Sequence, residues 1–106
     1  ERVLIRHEGR VHVLPMERID FVEAQDDYLE FMCGGKRYRK QQTMADLESQ
    51  IDPTRFVRVH RSFIMNIVRV ARIDLYGKDS WLAILSDGSK LPMSRTGHAK
   101  LKELIG

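Results

Sequence analysis

The first forty residues alternate between apolar and polar positions in short runs, which is the period of strands with one buried face. Turn signals separate these runs. Glu8-Gly9 follows the first run, Pro15 interrupts the chain after the second, and Gly34-Gly35 is a two-residue turn of the type that hairpins prefer. This pattern predicts five strands, at residues 3–5, 11–14, 19–22, 28–33 and 36–39.

A helical pattern replaces the alternation after Thr43. Thr43 is a capping residue with an acid three positions later, and apolar residues, Met44 and Leu47 among them, then recur at the spacing of one helix face. Asp52-Pro53 stops the pattern. We therefore predict a short amphipathic helix over residues 43–51.

Strands return in the second half of the chain, and a helix ends it. Alternation and the Asp87-Gly88 turn predict strands at 70–76, 80–85 and 90–93. From Ser94 to Ile105, apolar residues recur at helical spacing beside lysines, so this tail is predicted to be a helix with Ser94 as its N-cap. Gly97 is expected to weaken the first turn.

These elements predict a mainly β fold, with antiparallel β-sheets, one short internal helix and a short C-terminal helix. A chain of 106 residues forms about one domain, so we expect a single domain over residues 1–106. The predicted core consists of large apolar residues within these elements: Phe21, Leu29, Phe31, Phe56, Phe63, Ile64, Ile73, Trp81, Ile84 and Leu91.

Composition excludes several classes of protein. No apolar run approaches the roughly 18 residues of a membrane span, and no charged-then-apolar leader indicates secretion. Cys33 is the only cysteine, which excludes an internal disulfide and fits a reducing compartment. The chain begins at Glu1 rather than at methionine, from which we expect a domain excised from a longer protein.

Positive charge is concentrated in two windows. The net charge is only +3, and residues 1–30 hold eight acids against four arginines, but residues 31–45 and 53–73 contain no acid. The basic residues of the two windows are Lys36, Arg37, Arg39, Lys40, Arg55, Arg58, Arg61, Arg69 and Arg72. A charge run is commonly a solvated face, but two windows interleaved with apolar residues predict a basic surface that meets a polyanion.

The sequence carries no signature of an enzyme. Its four histidines show no metal-ligand spacing, and the glycine-rich phosphate loops and the nucleophile-elbow motif are absent. His60 and Ser62 are expected on one side of a strand, but they lack the oriented acid that a catalytic triad needs. We therefore predict a protein that is not an enzyme and that has no cofactor.

Two segments carry a longer pattern. The first is Phe56-Val57-Arg58-Val59-His60-Arg61-Ser62-Phe63-Ile64-Met65-Asn66, and the second is Asp87-Gly88-Ser89-Lys90-Leu91-Pro92-Met93-Ser94-Arg95. They resemble the LytTR family of bacterial DNA-binding domains, whose pattern is F-x-R-x-H-x-S-[FY]-x-x-N followed by G-x-x-[LI]-P-x-S-R. The resemblance covers essentially the whole chain.

This resemblance implies both a fold and a function. Family domains are elongated and built from small stacked antiparallel sheets, and loops between strands enter the DNA major groove in place of a recognition helix. The implied function is sequence-specific binding of double-stranded DNA, as the output domain of a bacterial response regulator or similar transcription regulator. The resemblance also implies a homodimer on repeated half-sites, an upstream receiver or sensor domain, no membrane contact by this segment and a cytoplasmic location.

Three places match the family's contact segments: residues 25–28, 60–62 and 94–95. In the first, Tyr28 is the better candidate, because Asp26 and Asp27 oppose phosphate. An acid in that loop can still accept a hydrogen bond from cytosine N4.

Arginine suits base reading because its planar fork pairs with O6 and N7 of guanine together. Arg61 and Arg95 are therefore the predicted base readers. His60 and Asn66 also have a structural interpretation, since either residue can brace the first loop. The predicted DNA contacts are Arg61 and Arg95 with bases, Arg58, Arg39 and Lys40 with phosphates, and in addition Tyr28, His60, Ser62, Asn66 and Ser94.

Two other functions stay open at this point. A β-rich binder of RNA or of single strands would use Tyr28, Phe31, Tyr38 and Phe63 as stacking platforms, but these aromatics show no same-face pattern. A pure dimerisation module would not explain why basic residues concentrate in two windows.

Overall fold

Ten antiparallel strands and two helices form the fold, and the computed structural model describes all of residues 1–106. The strands are β1 (Arg2–His7), β2 (Arg10–Pro15), β3 (Ile19–Ala24), β4 (Leu29–Cys33), β5 (Lys36–Lys40), β6 (Phe56–His60), β7 (Phe63–Asn66), β8 (Val70–Leu75), β9 (Trp81–Leu85) and β10 (Lys90–Met93). The helices are α1 (Met44–Glu48) and α2 (Arg95–Ile105). The predicted mainly β class with two helices is confirmed.

Both predicted two-residue turns are present. Glu8 and Gly9 have φ angles of 51° and 73°, and Gly34 and Gly35 have φ angles of 59° and 80°. Left-handed backbone at both central residues closes a two-residue hairpin without splaying its strands. Glycine occupies three of these four positions and reaches this conformation at no steric cost, whereas Glu8 is the one residue other than glycine with a positive φ. The turns set the register of β1 with β2 and of β4 with β5.

The segment 56–66 forms a hairpin, which its sequence pattern did not reveal. Strands β6 and β7 pair antiparallel on either side of a tight turn at Arg61 and Ser62. The expectation that His60 and Ser62 share one side of a single strand is therefore wrong, because the chain reverses between them. No glycine or proline marks this turn in the sequence.

The strands form three sheets that stack within an elongated molecule of 47 × 25 × 24 Å. The central sheet has five strands in the order β5-β4-β3-β7-β6. The β1–β2 hairpin and α1 pack on one of its faces. The third sheet, of order β10-β9-β8, packs with α2 on the other face.

Two hydrophobic clusters lie on opposite faces of the central sheet. Neighbouring residues of one strand supply different clusters, since Phe56 and Ile64 pack in the first cluster while Val57 and Met65 pack in the second. Burial on both faces explains why β6 and β7 carry nearly continuous apolar residues rather than a strict alternation.

The predicted core is largely confirmed. Seven of its ten residues are buried, while Phe63, Ile73 and Trp81 are half-buried at the margin of the second cluster. All five methionines of the chain are also buried, although none is among these ten residues. Their flexible, unbranched side chains fill the irregular gaps between stacked layers.

Helix α1 is shorter than the predicted span of residues 43–51. Thr43 caps it as predicted, because its hydroxyl oxygen accepts the N–H of Asp46 at 3.1 Å. The N–H of Gln50 then bonds to the carbonyl of Leu47, three residues back, at 2.9 Å. This contact tightens the last turn and ends the helix.

Helix α2 lies directly on the backbone of β6. A bulge between Arg58 and His60 takes Val59 out of the β6–β7 ladder, and the freed carbonyl oxygen of Val59 accepts the N–H of Ser94 at 2.7 Å. A Cβ at Gly97, in the first turn of α2, would overlap the same carbonyl. Gly97 is therefore the residue that permits the contact, rather than only a weak point of the helix.

Replacing Gly97 with alanine tests this contact. Alanine favours a helix over glycine by roughly 1 kcal/mol, yet we expect Gly97→Ala to lower the free energy of unfolding by about 1–3 kcal/mol, because the new methyl group must displace backbone. The free energy of unfolding is measured by urea denaturation, with the fluorescence of Trp81 as the signal. The exposed neighbour Thr96 provides the control, since Thr96→Ala should be neutral or stabilising. A stabilised Gly97→Ala variant would contradict the close approach.

Candidate nucleic-acid interface

Three connections of the fold meet at one end of the central sheet: the β3–β4 loop, the β6–β7 turn and the β10–α2 junction. The N–H of Ala24, at the end of β3, donates to the carbonyl of Ser62 at 2.8 Å. The N–H of Ser94 donates to Val59 at the end of β6. The structure thus brings together the three segments predicted as contacts, residues 25–28, 60–62 and 94–95. We call the surface that they form the three-connection surface, and the end of the central sheet where they meet the shared end.

The β6–β7 turn is braced from two sides. Nδ1 of His60 accepts the N–H of Ser62 at 3.1 Å, and Nη2 of Arg58 donates to the carbonyl of Arg61 at 2.8 Å. Both bonds fix the backbone of the turn while leaving the Arg61 side chain exposed and without an acid partner. The two hydrogen bonds therefore hold the backbone that carries the one free guanidinium group of the turn, that of Arg61.

The β3–β4 loop presents an aromatic ring covered by a cation. The loop closes through a bond from the N–H of Gln25 to the carbonyl of Tyr28 at 2.9 Å. The guanidinium of Arg39 lies 4.0 Å from the centre of the Tyr28 ring, a cation–π contact. Lys40 pairs with Leu29 at the start of β4, so it lies at the same end of the sheet.

The β10–α2 junction places Arg95 at the start of a helix. The hydroxyl of Ser94 donates to the carbonyl of Val59 at 3.3 Å and accepts the N–H of Gly97 at 3.0 Å. Ser94 is therefore the predicted N-cap, and its hydroxyl is engaged within the protein. Arg95 is exposed and makes no ion pair.

The window 53–73 is not one basic face, which corrects the expectation from sequence. Nη1 of Arg58 lies 3.2 Å from Oε1 of Glu48, and Nε of Arg72 lies 2.9 Å from Oδ1 of Asp74. An acid from another element thus neutralises Arg58, and an acid just beyond the window, in the same strand, neutralises Arg72. Of the arginines in this window, Arg61 alone extends from the shared end of the sheet without a partner.

Arg69 approaches Asp20 near the opposite end of β3. Its Nε lies 3.1 Å from Oδ1 of Asp20, but its N–H does not point at that oxygen, so the contact is ionic rather than a hydrogen bond. Burial raises the pKa of Asp20 above its ordinary value, and Asp87 adds to the rise, while Arg69 opposes it. This pair belongs to the packing of the sheets and not to the three-connection surface.

The window 31–45 is likewise divided. Nη1 of Arg37 lies 2.8 Å from Oε1 of Glu30 and 3.5 Å from Oε1 of Glu23, and the hydrogen bond that Arg37 donates to Glu30 raises the pKa of Arg37. Arg39 and Lys40 make no ion pair with an acid. Only these two cations of the window are free at the shared end of the sheet.

Asn66 does not belong to the surface, although it was among the predicted contacts. Its side chain is 3% exposed, and Nδ2 donates to the carbonyls of Ile19 at 2.8 Å and Glu17 at 3.3 Å. Its Oδ1 accepts the N–H of Val68 at 3.1 Å. Asn66 therefore fixes the turn after β7, at the far end of the hairpin from Arg61, and the expectation that it could brace the first loop is wrong.

The aromatic residues do not form a stacking surface for single strands. Phe31 is fully buried, and Tyr38 and Phe63 are packed against the two clusters. Tyr28 alone lies on the surface with the free cations, and Arg39 covers one of its faces. Single-strand binders present several accessible rings in series, an arrangement that this domain lacks.

Sequence reasoning missed three residues that shape the surface: Val59, Gly97 and Glu48. The bulge that frees the Val59 carbonyl had no signal in the sequence. A glycine inside the predicted first turn of α2 was the available clue for Gly97, because glycine there costs helix stability unless the backbone needs the space. In the sequence, Glu48 was predicted only to lie within the helix over residues 43–51.

The free cations of this surface are Arg61 in the β6–β7 turn, Arg95 at the start of α2, and Arg39 and Lys40 on β5. A cationic surface on a β scaffold is typical of a nucleic-acid-binding domain. The model of the LytTr DNA-binding domain family matches residues 9–106. The chain therefore belongs to the LytTR family of DNA-binding domains. No helix of the structure is both long and apolar enough to cross a membrane.

Relatives of the chain are considerably longer. The chain is 29% identical over 106 residues to the sensory transduction protein LytT of Enterococcus faecalis, covering 100% of this chain and 44% of that protein. It is 32% identical over 98 residues to LytT of Bacillus cereus, covering 92% of this chain and 40% of that protein. The chain thus spans less than half the length of these curated relatives.

A solved structure has the same fold. The LytTr DNA-binding domain of a putative methyl-accepting/DNA response regulator from Bacillus cereus superposes with a TM-score of 0.89 at 20% identity. The match covers 99% of this chain and 96% of the other. At this identity the likeness supports the fold alone.

Proposed function

We propose that the three-connection surface binds double-stranded DNA in a sequence-specific manner, with its loops in the major groove. One observation carries the proposal. Arg61 and Arg95, distant in sequence, are both exposed and without acid partners, and the Val59–Ser94 hydrogen bond brings their segments together. The B-DNA major groove is about 12 Å wide, enough to admit a tight turn and a helix end side by side.

Arg61 and Arg95 read base edges in this proposal. Each presents a planar fork that can pair with O6 and N7 of one guanine. The side chains of His60 and Arg58 and the N–H of Ala24 hydrogen-bond to the backbone of the Arg61 turn, so little backbone conformational entropy remains to be lost there on binding.

Tyr28, Arg39 and Lys40 flank the readers and meet the phosphate backbone. Arg39 and Lys40 are free of acids, and Tyr28 holds the Arg39 guanidinium in place through its ring. The Ser62 hydroxyl, in the turn itself, is a further candidate for a phosphate or base contact. Asp26 and Asp27 repel phosphate, so we propose that they bias the β3–β4 loop toward base edges, where a carboxylate can accept from cytosine.

We also propose that the domain is the output module of a longer transcription regulator, supported by the greater length of its relatives. A receiver or sensor domain would then precede it and control assembly on DNA. We propose a homodimer on repeated half-sites one helical turn apart, about 10–10.5 base pairs, because each domain presents only one small reading surface. Such a regulator acts beside the chromosome in the cytoplasm and is not an enzyme.

Arg61→Ala should weaken specific binding by about 1–3 kcal/mol and relax the preferred sequence at one base pair. The physical reason is the loss of a paired contact with one base, which leaves the phosphate contacts intact. Titration of the variant with selected and with random duplexes measures both its specific affinity and its sequence preference. Arg55→Ala is the matched control, because Arg55 is exposed next to the other end of β6. An Arg61→Ala variant that binds both duplexes like the wild type would rule out base reading by Arg61.

Lys40→Ala should weaken binding to all duplexes alike and lower the slope of log Kobs against log salt by about one unit, since one phosphate contact releases about one counterion. The control is Lys36→Ala at the opposite end of β5, which should leave the slope unchanged. A loss that is confined to one DNA sequence would contradict the phosphate role.

Competition between duplex and single strands tests the class of ligand. Duplex DNA should displace a labelled duplex at much lower concentration than either single strand or RNA of the same sequence, because the surface lacks rings on which free bases stack. Equal or stronger competition by a single strand would overturn the duplex proposal.

A further inference from the structure

The guanidinium of Arg58 bridges two groups from different parts of the fold. Nη1 donates to Oε1 of Glu48, the last residue of α1, at 3.2 Å, and Nη2 donates to the carbonyl of Arg61 at 2.8 Å. One planar group thus ties a carboxylate on a helix to the backbone of the turn that carries Arg61. A lysine, with a single point charge, cannot reproduce this fork.

This bridge is the link between the Arg61 turn and α1. Met44 and Leu47 pack in the first hydrophobic cluster and hold α1 in place, so the backbone of Glu48 is held in place as well. The Arg58 side chain is 28% exposed and that of Glu48 is 39% exposed, which leaves both groups partly hydrated. An ion pair of this exposure adds little to global stability. The effect of the pair is to hold the Arg58 guanidinium against the carbonyl of Arg61.

Arg58 has room to move when Glu48 does not hold it. A cavity of about 260 Å³ lies beside the pair, between α1, β6 and the last turns of α2. Its charged lining consists of Glu48, Arg58, Lys100 and Glu103. Without Glu48, the guanidinium can swing toward Glu103 or solvent and release the carbonyl of Arg61.

We infer that Glu48 and Arg58 are positioning residues that determine the specificity of DNA reading by fixing the Arg61 turn. This inference rests on the proposed function of Arg61. It changes the role expected for Arg58, whose charge is used inside the protein rather than on a phosphate. It also gives a role in DNA recognition to an acid that touches no DNA.

Glu48→Gln is the test, because two explanations of the Glu48–Arg58 pair predict opposite changes in DNA affinity. If Arg58 positions the turn, losing the carboxylate should lower the ratio of specific to random duplex affinity by about two- to fivefold. If Glu48 merely holds back a phosphate-binding Arg58, the same change should tighten binding to every duplex and steepen the salt slope. The second result would overturn the inference. Glu103→Gln is the matched control, because it removes one acid from the same cavity and should leave the ratio unchanged.

A double-mutant cycle with Arg61→Ala completes the test. In the Arg61→Ala background, Glu48→Gln should have no further effect on the ratio, since the turn then carries no reader. Arg58→Lys keeps the charge but loses the fork, and it should resemble Glu48→Gln, with relaxed preference at the base pair that Arg61 reads. Urea unfolding of each variant checks that the domain stays folded.

The outcomes separate the two levels of inference. If Arg61→Ala alone leaves specific binding unchanged, base reading by Arg61 fails, whatever the Glu48 variant does. If Arg61→Ala lowers the ratio while Glu48→Gln and Arg58→Lys do not, Arg61 reads DNA but the bridge does not position it. If Glu48→Gln changes the ratio of specific to random duplex affinity equally with and without the Arg61 side chain, the positioning role of the bridge would likewise be overturned.

Discussion

The contact between the Val59 carbonyl and the start of α2 is the constraint on which the surface depends. A bulge in β6 frees this carbonyl, Ser94 donates its N–H to it, and Gly97 has no Cβ to keep the helix away. The contact joins the central sheet to the third sheet and its helix at one point. Because Arg95 follows Ser94 directly, the same contact places the second free arginine beside the Arg61 turn.

The distribution of ion pairs explains how a weakly basic domain can present a defined cationic surface. Four of the seven arginines in the two acid-free windows are paired with acids, and for three of them the fold brings the acid from another element, as with Glu48 for Arg58 and Glu30 for Arg37. At the end of the sheet where the three connections meet, Arg39, Lys40, Arg61 and Arg95 have no acid partner. Pairing of the other arginines lowers nonspecific attraction to polyanions.

The candidate site was predictable in part. A family pattern identified the segments around Arg61 and Arg95, and capping chemistry identified Ser94. Asn66 was misjudged as a DNA contact because a polar residue beside basic ones looks available in sequence, whereas here it satisfies the backbone carbonyls of Glu17 and Ile19 in the interior. Arg58 shows the same limit, since nothing local to its strand reveals Glu48 as a partner.

The sequence by itself determined both helices, eight of the ten strands and the turns that contain glycine, because alternation, turn glycines and capping residues act over a few neighbouring positions. Only the tertiary structure decided which cations are free, where the 56–66 segment reverses and that α2 lies on Val59. These features depend on contacts between residues distant in the chain, which leave no periodic trace in sequence. Local chemistry thus determined most of the elements, and long-range packing selected the cations that have no acid partner.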